Sequence, residues 1–208
     1  MERRLQSLFP PHKLIILLSV TVEDRNVQQE SSVVTMRGVN ISEVCINGRL
    51  YLVSLYYGGC FSQWYACKFH DEEREYSCAE QRMMYMKAKL FGDSSSAKKI
   101  MKTKSPKEQK ALGRNVSGFD KEVWEHVARN IVFDSNLYKF TQNPFLKKNL
   151  LSTGKKLLVE ASPYDAIWGI RRALSYPHLG DKSTWRGTNW LGLELTKVKL
   201  TIMRSNKC

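Results

Sequence analysis

Between residues 76 and 155 apolar side chains recur three and four positions apart, the spacing that places them on one face of a helix. The stretch "YSCAEQRMMYMKAKLFG" (76–92) opens with Ser77 and Glu80 in the S-x-x-E spacing of a capping box, has Tyr76 placed to staple, and stops at Gly92. It predicts a helix. "KSPKEQKALGR" (104–114) repeats the device, with Ser105 as cap, Pro106 at the first helical position, Glu108 three after the cap and Gly113 at the end. In "FDKEVWEHVARNIVFDSNLYKF" (119–140) Asp120 is the cap, and Val123, Trp124, Val127 and Ile131 share a face. Asn143-Pro144 opens another helix with Leu146 and Leu150 on one side. The last segment, 191–203, fits two templates. Leu191, Leu195, Val198 and Ile202 suit a helix; Leu193 and Leu195, then Val198, Leu200 and Ile202, suit a strand with a phase slip. It is read as a helix.

Strand signals are fewer. "LIILLSVTV" (14–22) is a short apolar run, followed by the polar stretch "EDRNVQQESS" and the strand-like "VVTMRGVNISEV" (33–44). "RLYLVSLYY" (49–57) reads as a strand running into Gly58-Gly59, and "KLLVEA" (156–161) as a buried strand. Helices dominate the middle and no strand–helix–strand alternation appears. The class is therefore α+β, a compact, helix-rich domain with a small sheet. Residues 1–50 hold no functional motif and are read as an extension that packs on the domain or is in part disordered. The domain proper is placed at 51–208.

Length and composition narrow the field. At 208 residues, 42% hydrophobic and 25% charged, the chain suits one soluble domain with a real core. The apolar run at 14–22 is too short to span a bilayer, and "EDRN" follows where a signal peptide would be cleaved, so no membrane role is expected. The net charge is +13, and it is uneven. Residues 1–50 carry six Lys/Arg against five Asp/Glu; the rest carry 27 against 15. The excess gathers at Lys98–Lys110, Lys147–Lys156 and near the C-terminus, which favours an anionic partner such as nucleic acid or nucleotide phosphates, or else a solvated lysine surface. Five cysteines (45, 60, 67, 78 and 208) lack C-x-x-C spacing or zinc-type histidines. Reduced thiols in a cytoplasmic setting are expected, with no metal and no cofactor. Oligomeric state has no sequence signal.

Two stretches concentrate chemistry. In the helix at 76–92, Glu80 and Lys87 are two turns apart on one face, beside Met83, Met84 and Leu90. Glu80 is either the capping-box glutamate or a desolvated carboxylate, and Lys87 either a surface lysine or a perturbed amine. In "VEASPYDAIWG" (159–169) a strand ends in Glu160 and a turn through Ser162-Pro163 delivers Asp165 and Trp168. By type Asp165 suits turn chemistry first, and catalysis is the alternative that the nearby Trp168 and Glu160 raise. Arg114 and Arg186 are candidate phosphate forks.

Six blocks in order, "GGCFSQWY", "YSCAEQRMMYMKAKLFGD", "SPKEQKALGR", "KFTQNP" with its following "LLSTG", "LVEASPYDAIWGI" and "WRGTNWLG", make the chain resemble the YbiA-like or NADAR (NAD- and ADP-ribose-associated) family from about residue 56 to 203. It departs at "YYGG", where family members tend to carry a phenylalanine–tryptophan pair before the glycines. The resemblance implies a compact α+β fold and a metal-free N-glycosidase. Its substrate would be a ribosylated phosphate metabolite, as in early riboflavin synthesis, or ADP-ribose attached to guanine in nucleic acid; a module that binds ADP-ribose or NAD without turnover is the remaining alternative. Carried over by position, Glu80, Asp165 and Lys87 become the catalytic candidates. Trp168 and Trp124 follow by the same carry-over as substrate-binding candidates, and Gly59, Ser62, Arg114 and Arg186 are added to them on their own residue types. The chemistry suits these types. Cleaving a ribosyl C–N bond builds positive charge at C1′ and the ring oxygen, which a carboxylate stabilises, and a second carboxylate activates water. An indole faces a flat base or the cation, and a lysine binds phosphate or attacks C1′ of an opened ribose.

Overall fold

The computed structural model describes the strands at 29–36, 39–46 and 49–54 and all of residues 59–205. The apolar run 14–22 and residues 55–58, which include Tyr56, Tyr57 and Gly58 of "YYGG", lie outside the described residues. The architecture is α+β, as the pattern predicts. Strands β1 (Gln29–Met36), β2 (Val39–Ile46) and β3 (Arg49–Ser54) form an antiparallel meander, with Val33 opposite Ser42 and Val44 opposite Tyr51. β1 takes in Gln29–Ser32 from the stretch read as polar, because pairing with β2 rather than apolar alternation places it. A two-residue ribbon, β4 (Phe69–His70) with β5 (Glu75–Tyr76), carries no periodic signal and escapes sequence reading.

Six helices follow among the described residues: α1 (Ala79–Leu90), α2 (Ser94–Lys102), α3 (Pro106–Arg114), α4 (Lys121–Gln142), α5 (Pro144–Ser152) and α6 (Trp190–Ser205). β6 (Leu157–Glu160) precedes α6 and joins the sheet parallel to β3, giving the order β1-β2-β3-β6. The segment 191–203 is thus helical. None of these helices is long and apolar enough to cross a membrane.

Three helix starts follow from their caps. Asp120 accepts from the Val123 amide at 3.0 Å, and Ser105 from the Glu108 amide with Pro106 behind it. Pro144 opens α5 after Asn143. α2 was not predicted; Asp93 caps it through the Ser96 amide. The start of α1 corrects the capping-box reading. Cys78 is the N-cap residue, with no side-chain cap. Instead Gln81 Oε1 accepts from both the amide and the hydroxyl of Ser77, at 2.7 and 3.0 Å. The side-chain amide one position on takes the role assigned to Glu80 and leaves its carboxylate out of the cap. The predicted stop holds. Gly92 has φ 74°, and Asp93 and Gly92 donate to the carbonyls of Ala88 and Lys89, the pairing of a Schellman end.

Every residue of α1 except Lys89 is buried, so this helix is the centre of the domain, covered by α2, α3 and α4. Its inward polar groups are therefore paired. Gln81 Nε2 donates to the carbonyls of Ile100 and Thr103, and Arg82 binds Asp71 at 3.0 Å and the Ser135 hydroxyl at 3.1 Å. Gly113 also departs from its predicted role. It lies inside α3, and a Cβ there would stand 2.0 Å from Met84 Sδ, so the absent side chain is what lets α3 approach α1.

β6 shows how the sheet is closed without another strand among the described residues. On one edge it pairs with β3. On the other, side chains from around α6 supply the ladder. Asn189 Oδ1 accepts from the Glu160 amide, Asn189 Nδ2 donates to the Leu158 carbonyl, and Thr196 Oγ1 accepts from the Leu158 amide. Gly192 sits against this edge; a Cβ there would meet the Leu158 carbonyl at 2.1 Å.

Candidate functional site

One cavity of about 430 Å³ gathers most of the sequence candidates, a volume in the range of small-molecule sites. Its floor is the face of α1 that carries Glu80, Met83, Met84 and Lys87, residues spaced by three and four. Released from capping, the Glu80 carboxyl is 5% exposed. Burial pushes it up to about 7; Lys110, the Trp64 indole that hydrogen-bonds it, and Arg114 pull the other way, while Asp165 adds to the rise.

The loop at 59–64 forms the wall that meets Glu80. Ser62 donates its amide to the Gly59 carbonyl, and its hydroxyl accepts from the Trp64 amide. The fully buried Lys139 of α4 donates to the Ser62 carbonyl at 2.8 Å, and the side-chain amides of Gln63 and Asn136 pair at 3.0 Å. The Gln63 carbonyl accepts the Glu80 amide at 3.0 Å. The loop is thus bolted to α4 on one side and to the start of α1 on the other, which fixes Trp64 against the carboxyl.

The start of α4 and the residue before its cap supply an aromatic corner. Lys87 Nζ lies 4.0 Å from the Phe119 ring centroid and 5.5 Å from that of Trp124. Among the described residues Lys87 has no ion pair, and burial lowers its proton affinity from the ordinary lysine value. α3 adds Lys110 and Arg114, one turn apart on the same face, with Lys110 Nζ 5.9 Å from the Trp64 ring.

The turn after β6 completes the enclosure. Asp165 Oδ1 accepts from the amides of Ile167 and Trp168, at 3.0 and 2.8 Å, so the turn chemistry suggested by its residue type is real. It uses one carboxylate oxygen, and Oδ2 makes no hydrogen bond among the described residues. A second segment straps the turn in place: the amides of Arg186, Thr188, Asn189, Trp190 and Leu191 donate to the carbonyls of Ile170, Ala166, Gly169, Ile167 and Trp168. Gly187 must be glycine here, since a Cβ would lie 2.3 Å from the Gly169 carbonyl oxygen. Trp168 packs edge-on against Trp190 with centroids 5.7 Å apart.

Glu80, Lys87, Asp165, Trp168, Trp124, Ser62 and Arg114 therefore line one cavity. Gly59 and Arg186 do not. Gly59 is buried beneath the loop and accepts from Ser62, and Arg186 contributes a backbone bond to the strap while its side chain is exposed. Glu160 is 6% exposed and also lines the cavity. Sequence reading missed Trp64, Gln63, Lys110, Phe119 and Trp190. Lys110 was counted in a basic run; its i, i+4 relation to Arg114 was the available signal. Among the described residues no three His, Cys, Asp or Glu side chains gather in a metal-holding group.

Several known proteins are similar to this chain. The NADAR domain model matches residues 55–203. N-glycosidase R617 of Acanthamoeba polyphaga mimivirus is 43% identical over 148 residues, covering 67% of this chain and 85% of that protein. The chloroplastic riboflavin biosynthesis protein PYRR of Zea mays is 30% identical over 157 residues, 70% of this chain and 23% of that much longer protein. The NMR structure of E. coli YbiA superposes with a TM-score of 0.60 at 24% identity, over 74% of this chain and 86% of its own, which is a likeness of fold.

Proposed function

The chain belongs to the NADAR family, and from that premise we propose that it is an N-glycosidase that hydrolyses the base–ribose bond of a ribosylated phosphate metabolite, of the kind formed early in riboflavin synthesis. The observation that carries the reading is the carboxyl pair. Glu80 is buried, hydrogen-bonded by an indole and poised at about 7, while Asp165 is anchored by two turn amides close enough for its charge to act on Glu80. Two carboxyls in such different surroundings suit opposite roles.

In this mechanism the base lies among Trp64, Trp168 and Trp124, whose faces suit a flat heterocycle. As the C1′–N bond breaks, its electron pair stays on the base nitrogen, which takes the proton from protonated Glu80. Asp165 stabilises the positive charge at C1′ and takes a proton from the water whose oxygen bonds to C1′. The products are the free base and the ribose phosphate, and the proton on Asp165 returns to solvent. A positioned acid or base of this kind contributes about 10²–10⁴ in rate. Lys87 serves as a phosphate contact or as a nucleophile toward an opened ribose. The free thiols Cys60, Cys67 and Cys78 fit a cytoplasmic setting.

The +13 charge favours a second reading, removal of ADP-ribose from guanine in nucleic acid. One experiment addresses both. Purified protein is incubated with a ribosylaminopyrimidine 5′-phosphate and, separately, with DNA carrying ADP-ribosyl-guanine, and products are identified by mass spectrometry. Free base and ribose 5-phosphate, absent with Asp165→Asn, are expected. Release of ADP-ribose from DNA alone would replace the first reading with the second. Binding of ADP-ribose with neither product would reduce the protein to a binding module.

A further inference from the structure

We propose that Lys110 and Arg114 form the subsite for the substrate's phosphate, and that an anion seated there drives a solvent proton onto Glu80, the proton that the leaving base then receives. This rests on the reading of the cavity as a glycosidase site.

Four cations line the cavity: Lys87, Lys110, Arg114 and Lys121. Lys121 is engaged by Glu125 at 3.7 Å. Lys110 and Arg114 have no carboxylate within ion-pair distance among the described residues, although Glu80 and Asp165 line the same space. The two stand on one face of α3, one turn apart, Lys110 half-buried over the Trp64 ring and Arg114 exposed. A point charge beside a planar fork suits a tetrahedral dianion. Gly113, next to Arg114, has no side chain to hold α3 away from Met84, so the pair is brought within electrostatic reach of Glu80.

The coupling follows from what surrounds Glu80. From α3 it feels Lys110 and Arg114; from the turn after β6, Asp165; from the loop at 59–64, the Trp64 indole; Lys87 on its own helix and Glu160 at the end of β6 face the same cavity. With the subsite empty, the two cations favour the ionised carboxylate. A bound dianion neutralises them, leaves the repulsion from Asp165 unopposed and adds its own. The protonated form of Glu80 then gains, and one proton moves from water to the carboxylate. The acid is loaded more fully when phosphate is present. A riboside lacking phosphate would lose turnover as well as affinity, since binding far from the reacting bond is used to ready the catalyst.

The test uses inorganic sulfate, an anion that does not itself titrate near neutrality. Calorimetric titration of the full chain near pH 7, in buffers of different ionisation enthalpy, reads protons exchanged per anion bound. Wild type is expected to take up a fraction of one proton. Glu80→Gln is expected to bind sulfate with no uptake, and Lys110→Met with Arg114→Met to lose binding. Absence of sulfate binding, binding without uptake in wild type, or equal uptake in Glu80→Gln each overturns the proposal. Hydrolysis of the ribosylaminopyrimidine phosphate without sulfate-linked uptake would remove this coupling and leave the glycosidase reading standing. Uptake without hydrolysis of any riboside would do the reverse.

Discussion

Replacing Glu80 by glutamine is expected to abolish turnover and to stabilise the fold. Its carboxyl is held at about 7 in the folded protein against an ordinary value of 4.5. Below 4.5 both the folded and unfolded chains carry the proton, and it has no effect on their balance. Between 4.5 and 7 the unfolded chain has released a proton that the folded chain still holds, so stability falls as pH rises. Above 7 the whole penalty is in place. A gap of about 2.5 pH units at about 1.4 kcal/mol each comes to about 3.5 kcal/mol. Glutamine keeps the shape and still accepts from the Trp64 indole, but it has no charge to desolvate. Urea unfolding of both proteins from pH 4 to pH 8 should show Glu80→Gln more stable by about 3.5 kcal/mol at the alkaline end, with the two curves merging near pH 4. A variant no more stable than wild type at pH 8, or one whose advantage persists unchanged at pH 4, would refute the assignment of strain to this carboxyl.

Gly113→Ala sets helix propensity, worth about 1 kcal/mol in favour of alanine, against a Cβ 2.0 Å from Met84 Sδ and 3.0 Å from Met84 Cβ. Met84 must change rotamer into the cavity, so melting should move by only a few degrees, a shift of about 1 kcal/mol, while KM rises; an unchanged KM would contradict the packing argument. Lys87→Met should lower kcat at least about tenfold with the fold intact by circular dichroism. Borohydride added during turnover should add the mass of a reduced sugar adduct to wild type if Lys87 is the nucleophile, and no adduct would leave it the phosphate contact. Arg82→Met leaves the partly buried Asp71 carboxylate without its 3.0 Å cationic partner, though the Tyr76 hydroxyl and two amides still bond it, and should destabilise by about 2 kcal/mol, readable as a lower urea midpoint.

What the sequence made legible was whatever a local rule controls. Ser105-Pro106, Asp120 and Asn143-Pro144 mark helix starts because a cap is a contact between neighbours in the chain. The Ser77–Glu80 box failed for the same reason: Gln81 offered a competing local bond, and the burial of Glu80 decided which would form. Glu80, Lys87 and Asp165 could be singled out by residue type and family resemblance, yet their meeting in one cavity depends on α1 being packed all round and on the strap from 186–191. Trp64 and Lys110 were missed. One lies in an aperiodic loop and gains its place from bonds to α4 and to the start of α1; the other lies in a run of lysines, and its place comes from the approach of α3 to α1. The two-residue β4 and β5 are too short to show alternation at all.

The parallel join between β3 and β6 has a consequence for how the protein comes into being. Tyr51 pairs with Leu157 and Ser54 with Glu160, so this seam closes a loop that contains α1 to α5. Contacts between such distant parts of a chain are slow to form, because the entropy of closing the loop is lost before the contact is gained. The helical middle, whose contacts are local, can collapse early and carry Glu80 and Lys87 with it. Asp165, on the turn beyond that seam, arrives last. On a ribosome the growing chain would expose the Glu80 half of the cavity for several seconds before the other half is synthesised, at about 5–20 residues per second. An exposed Met- and Trp-lined surface during that interval is where a chaperone would be expected to bind.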